Sequence, residues 1–467
     1  MQQLISKSGS IRAILMRLLS VVLAVVLVSC GGGSGSGDKP DKTVGGTISG
    51  LASGNSVELD LLVTGAHAAF DNVNRDGSFQ FAENLSTGDG YEVRVSTQPS
   101  GQTCTVENGA GTINVSDVSN IVVTCANPRL SFVYATNEMA ATVAAYAIDS
   151  TTGALSVVGS PVSTGTGTFP APKGVAVDPS GKFAYVTNEG DNTIVTYQIN
   201  SATGALTVVA SISTPAGSGP MGVVVDPAGK FVYIAETGGK QIATYSINSA
   251  TGALTYANAS ISGGLELYNL AMNPSGNYVY ATLGFGGSVN SFGINRTTGA
   301  LTFLNNWSSV PVISINGIAV DPNGKYAYIA AGDGGSLDGG VYTLSINTST
   351  GVLTQQGSLK ATDGEAQALV VDPTGKFLYV TSNNTVIAYV INSTTGALTA
   401  IGSPLNLGLN SSPRGITVDR GGKFVYVANS GTNTIAAFAI NVSTGALTSI
   451  GTTATGSNTQ PQAITSY

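Results

Sequence analysis

A Thr-Gly-x-Leu tetrad recurs seven times in the C-terminal part of this chain, with its glycine at Gly153, Gly204, Gly252, Gly299, Gly351, Gly396 and Gly445. The intervals are 51, 48, 47, 52, 45 and 49 residues. A fixed period of this size means that each copy is one supersecondary unit, unable to bury its apolar face without its neighbours. Two further markers keep step. Asp-Pro-x-Gly-Lys or a variant begins at Asp178, Asp226, Asn273, Asp321, Asp372 and Asp419. A tyrosine inside an apolar run falls at Tyr134, Tyr185, Tyr233, Tyr280, Tyr328, Tyr379 and Tyr426.

Each copy carries four strand-like runs. In the second copy they are Gly174–Val177, Phe183–Thr187, Thr193–Ile199 and Ala205–Val209. Asp178-Pro179-Ser180-Gly181 has proline where a type I turn fixes φ, and Ala202-Thr203-Gly204 supplies a glycine at a hairpin bulge. Four antiparallel strands repeated about an axis make a β-propeller blade. The Asp marker is present six times rather than seven, because the first copy begins at Leu130 without an inner strand. The last residues, Pro461–Tyr467, match the inner-strand pattern of Pro172–Val177. The C-terminal strand is therefore expected to complete the first blade, which removes two open sheet edges at once. The fold class is all-β: a seven-bladed propeller over 128–467, with about 48 residues per blade.

Composition narrows the function. The formal charge is −7 and only 10% of residues are charged. Such a chain has no basic surface to replace phosphate counterions, so nucleic acid is not an expected partner. One His and three Cys in 467 residues leave no zinc site built on several such ligands, and no His-based relay in the repeats. No metal and no cofactor is implied.

The N-terminus reads as an address. Lys7, Arg12 and Arg17 precede the apolar stretch Leu18–Val28, too short to span a bilayer comfortably. Leu27-Val28-Ser29-Cys30 resembles the bacterial lipobox, which implies a signal peptide over 1–29, cleavage before Cys30 and acylation there. Gly31 after the cysteine implies, by the same resemblance, an outer-membrane lipoprotein, periplasmic or surface-exposed, that meets the membrane through its lipid anchor. Residues 30–43 are then a Gly/Ser-rich tether. Loss of the leader leaves 16 basic against 26 acidic side chains.

Residues 44–127 alternate apolar and polar positions in short runs such as Ser78-Phe79-Gln80-Phe81, the period of a half-buried strand. They look like a small immunoglobulin-like sandwich. Cys104 and Cys125, an even pair in an exported chain, read as a disulfide pinning its last strands. The lone His67 reads as a surface or packing residue. Asn72-Val73-Asn74-Arg75-Asp76-Gly77 with Glu83 has the spacing of a calcium loop, except for Asn at its first position. The same residues also spell a hairpin turn into the Phe79–Phe81 strand, and this second reading is preferred.

WD-repeat and kelch signatures are absent. Tyr185-Val186-Thr187-Asn188 spells the tetrapeptide of a class of bacterial surface propellers. The whole unit of Tyr strand, Thr-Gly-Ala-Leu turn and Asp-Pro-x-Gly-Lys turn more closely resembles the seven-bladed lactonase family, which includes 6-phosphogluconolactonase and the fungal carboxymuconate-lactonizing enzyme. That family commonly places His just before the inner strand, at the mouth of the central channel. The matching positions here are Lys173, Met221, Tyr268, Asn316, Gln367, Arg414 and Gln462, and none is His.

On the expected channel face, Lys173, Arg414 and Gln462 should form one polar sector that binds ligand. Glu138, Glu189, Asp191 and Glu236 lie in neighbouring loops, with Asp333, Asp338 and Glu365 further round. One reading gives Lys173 and Arg414 a carboxylate or phosphate and makes Glu189 the candidate catalytic base. The other pairs the two cations with the acids of the rim. The leading functional expectation is binding or scaffolding of a protein, glycan or small anionic ligand at the envelope. The alternative is lactone hydrolysis, and a purely structural surface component is the third.

Overall fold

The computed structural model describes residues 42–467, apart from 84, 100–101, 127–130, 166, 168, 262–265, 285, 309–313 and 333–338. The leader, Cys30, residues 31–41 of the tether, Leu130, Asp333 and Asp338 therefore lie outside the described residues. Every regular element among the described residues is a strand. The chain divides into two compact units, at 1–128 and 129–467.

The first unit is two four-stranded sheets. One has the order Gly77–Gln80, Val44–Ser49, Val118–Ala126, Thr103–Glu107; the other Ala66–Val73, Val57–Val63, Gly90–Thr97, Ala110–Thr112. They share one core in which Val44, Val57, Leu59, Leu61, Ile121 and Val123 are fully buried. Two sheets over one core is the layer arrangement of a sandwich. Cys104 and Cys125 face each other in register on adjacent strands of the first sheet and form a disulfide. Closing that loop stabilises by ~3 kcal/mol in the chain-entropy model. Asp76 accepts the backbone N–H groups of Gly50 and Leu51 at 2.9 and 2.8 Å, so its carboxylate is used in fixing a loop. His67 pairs through Nδ1 with the buried Asp60 at 2.6 Å, and Arg94 reaches the other oxygen of that carboxylate at 2.9 Å.

The second unit is seven four-stranded sheets in chain order, with a short additional pairing at 405–406 in the sixth. Blade 1 draws its inner strand, Pro461–Ser466, from the far end of the chain. This strand pairs antiparallel with Phe132–Asn137 in the register Ile464 to Ala135 and Thr465 to Tyr134. Tyr467 extends the seam by exchanging both backbone hydrogen bonds with Phe132, each 2.9 Å.

The sequence markers meet between blades. All seven marker tyrosines are fully buried. Tyr134, Tyr328, Tyr379 and Tyr426 donate their hydroxyls to the carbonyls of Gly204, Gly396, Gly445 and Gly153, each in the next blade of the ring. The last of these closes blade 7 onto blade 1. The marker glycines are fixed twice over. Their φ lies near +73°, and a Cβ at Gly204 would stand 2.2 Å from the Phe132 ring of the preceding blade. Only glycine satisfies both the left-handed backbone and the close approach. The Asp-Pro turns are likewise structural. Asp178 is buried and accepts the N–H groups of Lys182 and Phe183 at 2.8 and 2.7 Å, a pattern repeated at Asp226, Asp321, Asp372 and Asp419.

Three blades share a polar contact at the end of the second strand. Asn137, Asn188 and Asn429 end their second strands and donate Nδ2 to Thr142, Thr193 and Thr434. Blade 3 has Glu236 there, fully buried, accepting from Gln241 Nε2 at 2.6 Å while Oε1 has no partner. Burial pushes the Glu236 carboxyl above its ordinary range, only partly offset by the Gln241 bond. The folded state thus favours the protonated acid. The stability this contributes is present in acid and is lost as pH rises from the ordinary glutamate range through the raised value. Thermal melts of Glu236→Gln should lie above wild type at neutral pH and converge with it near pH ~4. Parallel curves across that window would refute the assignment.

Candidate active site at the channel mouth

The inner strands enter the ring through a shared local device. In blades 1, 2, 3 and 7 the residue before the strand's first proline is left-handed: Gln460, Ala171, Gly219 and Ser412 have φ of 50°, 48°, 57° and 43°. Its carbonyl accepts the N–H of the residue following the second strand, as in Glu138 to Gln460 and Glu189 to Ala171. Pairing then slips by a bulge, between Pro172 and Gly174 in blade 2 and at the corresponding place in the other six. A bulge re-aims the side chain at the slip. In blades 1, 2, 4 and 6 the displaced backbone N–H is caught by a threonine hydroxyl of the second strand, as Gly174 N–H is by Thr187 at 2.9 Å.

Glycine after the bulge lets the inner strands crowd the axis. A Cβ at Gly174, Gly222 or Gly415 would lie 2.4, 2.6 or 2.7 Å from the carbonyl oxygen of Met221, Tyr268 or Gln462 in the next blade. The bulged residues of all seven blades line one cavity of about 820 Å³. They are Lys173, Met221, Tyr268, Asn316, Gln367, Arg414 and Gln462, the same positions where the family resemblance implies histidines. Around the ring the mouth runs from cations and an amide in blades 7, 1 and 2, through Met221 and Tyr268 in blades 3 and 4, to amides in blades 5 and 6.

The two cations have different surroundings. Lys173 Nζ lies 2.7 Å from Glu138 Oε1 and 3.5 Å from Glu189 Oε2, bridging blades 1 and 2. Glu138 is tightly paired and 17% exposed; Glu189 is looser and 39% exposed, leaving its carboxylate open to solvent. Arg414 pairs with no carboxylate among the described residues and touches Gln367 Oε1 at 3.5 Å. A side recess of about 230 Å³ beside it is lined by Gln367, Asn383, Asn384 and Ser412, all neutral. Gln462 lies between the two cations on the cavity wall.

The other described acids named from sequence have hydrogen-bond partners of their own. Asp191 accepts the Gly167 N–H, and Glu365 accepts from Gln367 Nε2 at 3.2 Å. Glu236 is buried inside blade 3. In the sequence Tyr268 is marked only as a position lacking histidine. Its hydroxyl donates to Glu266 Oε2 at 3.3 Å, and burial, with the charges of Glu266 and Glu189, pushes the phenol up. Among the described residues no cluster of three or more His, Cys, Asp or Glu could hold a metal ion.

Seven four-stranded sheets, closed into a ring by the C-terminal strand, define a seven-bladed β-propeller. The family model described as Lactonase, 7-bladed beta-propeller matches residues 124–267, 172–315 and 316–461, and the chain belongs to that family. No curated protein sequence matches it. Among solved structures, a Bacteroides fragilis protein assigned as a 6-phosphogluconolactonase is similar at 20% identity, covering 73% of this chain and 98% of its own, with a TM-score of 0.62. The periplasmic gluconolactonase of Pseudomonas aeruginosa is similar at 17% identity over 72% of this chain and 98% of its own, with a TM-score of 0.60. A Lactobacillus plantarum protein is similar at 20% identity over 73% and 100%, also with a TM-score of 0.60. At these identities the likeness is one of fold.

Proposed function

We propose that this protein hydrolyses a sugar lactone at the channel mouth. The observation that carries the reading is the bridge of Lys173 between Glu138 and Glu189. Glu138 holds the ammonium in place. Glu189, the looser and more open carboxylate, takes a proton from a water molecule as that oxygen attacks the lactone carbonyl. The Lys173 ammonium stabilises the negative charge that develops on the carbonyl oxygen. Collapse of the tetrahedral adduct breaks the bond to the ring oxygen, which recovers the proton from Glu189, and the product is the open hydroxy acid. Family membership and the gluconolactonase names among its fold relatives support this reading. The binding or scaffolding function that led the sequence-based expectations has no observation of comparable weight behind it.

Arg414, which pairs with no carboxylate among the described residues, is assigned an anionic substituent of the substrate. A pH-stat panel of neutral and carboxylate- or phosphate-bearing lactones tests this. Arg414→Ala should raise KM for the anionic members by about ten- to a hundred-fold, the loss of one charge-assisted contact, and leave the neutral members within about two-fold. Equal changes for both groups would remove Arg414 from substrate recognition.

A further inference from the structure

Blade 4 differs from other blades at two mouth positions together. Its bulged residue is the aromatic Tyr268, where blades 2, 5, 6 and 7 have Lys173, Asn316, Gln367 and Arg414. The residue after its second strand is Gly284, where blades 1, 2, 3, 6 and 7 have Glu138, Glu189, Thr237, Asn383 and Ser430. These are two halves of one arrangement. A Cβ at Gly284 would lie 2.0 Å from Cε2 of Tyr268, so any larger residue would displace the ring. Gly284 is not in the left-handed region, and its role is room alone. Glu266 ties both parts down: its carbonyl accepts the Gly284 N–H at 3.2 Å and its carboxylate accepts the phenol at 3.3 Å. Tyr268 and Gly284 both line the cavity, and the ring is half-buried.

We infer that Tyr268 is a positioning residue: a fixed aromatic platform, seated on Gly284, against which the ring of a polyhydroxylated lactone rests. The inference rests on the lactone-hydrolase reading above. An aromatic ring backed by protein on one side offers a negative π face to the C–H groups of a sugar ring, and its polar tip stays hydrogen-bonded. Met221 in blade 3 continues the apolar wall, and Glu266, which accepts the phenol, offers a carboxylate that can also accept ring hydroxyls. A platform of this kind selects a hydroxylated ring over a lactone whose bulk is an alkyl chain, which would need a continuous apolar groove.

The test is a double-mutant cycle read by calorimetry with glucono-δ-lactam, whose amide resists hydrolysis far more than the ester of the lactone. Tyr268→Phe keeps the platform and should bind within about two-fold of wild type. Tyr268→Ala and Gly284→Ala should each weaken binding about ten-fold, the upper part of the range for an aromatic contact. The Gly284→Ala effect should vanish in the Tyr268→Ala background, because the ring it displaces is already gone. An undiminished Gly284→Ala effect in that background, or a dissociation constant unmoved by Tyr268→Ala, would overturn the platform. If Gly284→Ala lowers the melting temperature, the Phe and Ala variants at 268 decide alone. Lactone turnover measured in parallel separates the two claims. Turnover with a flat binding series overturns only the platform. Tyr268-dependent lactam binding without turnover overturns only the hydrolase reading. Neither binding nor turnover overturns both.

Discussion

Removal of Pro461–Tyr467 should abolish the cooperative thermal transition of the propeller. The deletion strips blade 1 of its inner strand and uncovers Val133, Tyr134 and Ala135, all fully buried in the closed ring. It also removes Ile464 from the core shared with blade 7 and the Tyr467 ring from its place 4.4 Å beneath the Arg420 guanidinium. Each lost backbone hydrogen bond is worth about 1 kcal/mol net, and the buried apolar surface adds to that. Together the loss is about 5 kcal/mol or more, comparable with the whole stability of an ordinary domain. Near-UV circular dichroism and melting curves of the truncated chain read the effect directly. Adding the heptapeptide in trans should restore part of the signal, since the vacated edge is a template for one strand. A truncated chain that melts like the full one would mean that the seam contributes little to the ring.

Glu189→Gln should lower kcat for the preferred lactone by about 10²- to 10⁴-fold, the usual contribution of a general base, with KM changed much less. The substitution keeps the size and hydrogen-bonding reach of the side chain and removes its proton affinity. Glu138→Gln should act differently. It loosens the 2.7 Å pair that aims Lys173, so its cost should appear as a partial loss of oxyanion stabilisation, smaller than that of Glu189→Gln. A reversed order of the two variants would exchange their roles.

Much of the fold was legible because the repeat forces it. A tyrosine, a Thr-Gly turn and an Asp-Pro turn in step over seven copies leave few architectures, and the missing Asp turn indicated where the ring closes. What the markers do for one another was not legible. Tyr426 donates to the Gly153 carbonyl across 273 residues of chain, a contact that only the closed ring creates. The mouth shows the same division. Matching the copies puts seven residues at one place before the inner strand, polarity in neighbouring blades singles out Lys173, Arg414 and Gln462 among them, and all seven line one cavity. Their charge partners could not be read. Glu138 reaches Lys173 from the preceding blade, while Arg414 pairs with no carboxylate among the described residues, and nothing in either local sequence distinguishes the two cases. Tyr268 and Gly284 were missed for a related reason: the large and small residues compensate across 16 positions, and the fit exists only once both strands are folded.

The most direct test of the account is proton release from D-glucono-δ-lactone followed in a pH-stat with increasing amounts of the purified chain. A rate above spontaneous opening that rises linearly with protein concentration and falls to near background in Glu189→Gln is the outcome this site requires. Traces indistinguishable from buffer at every concentration, for this lactone and for the anionic members of the panel, would contradict it.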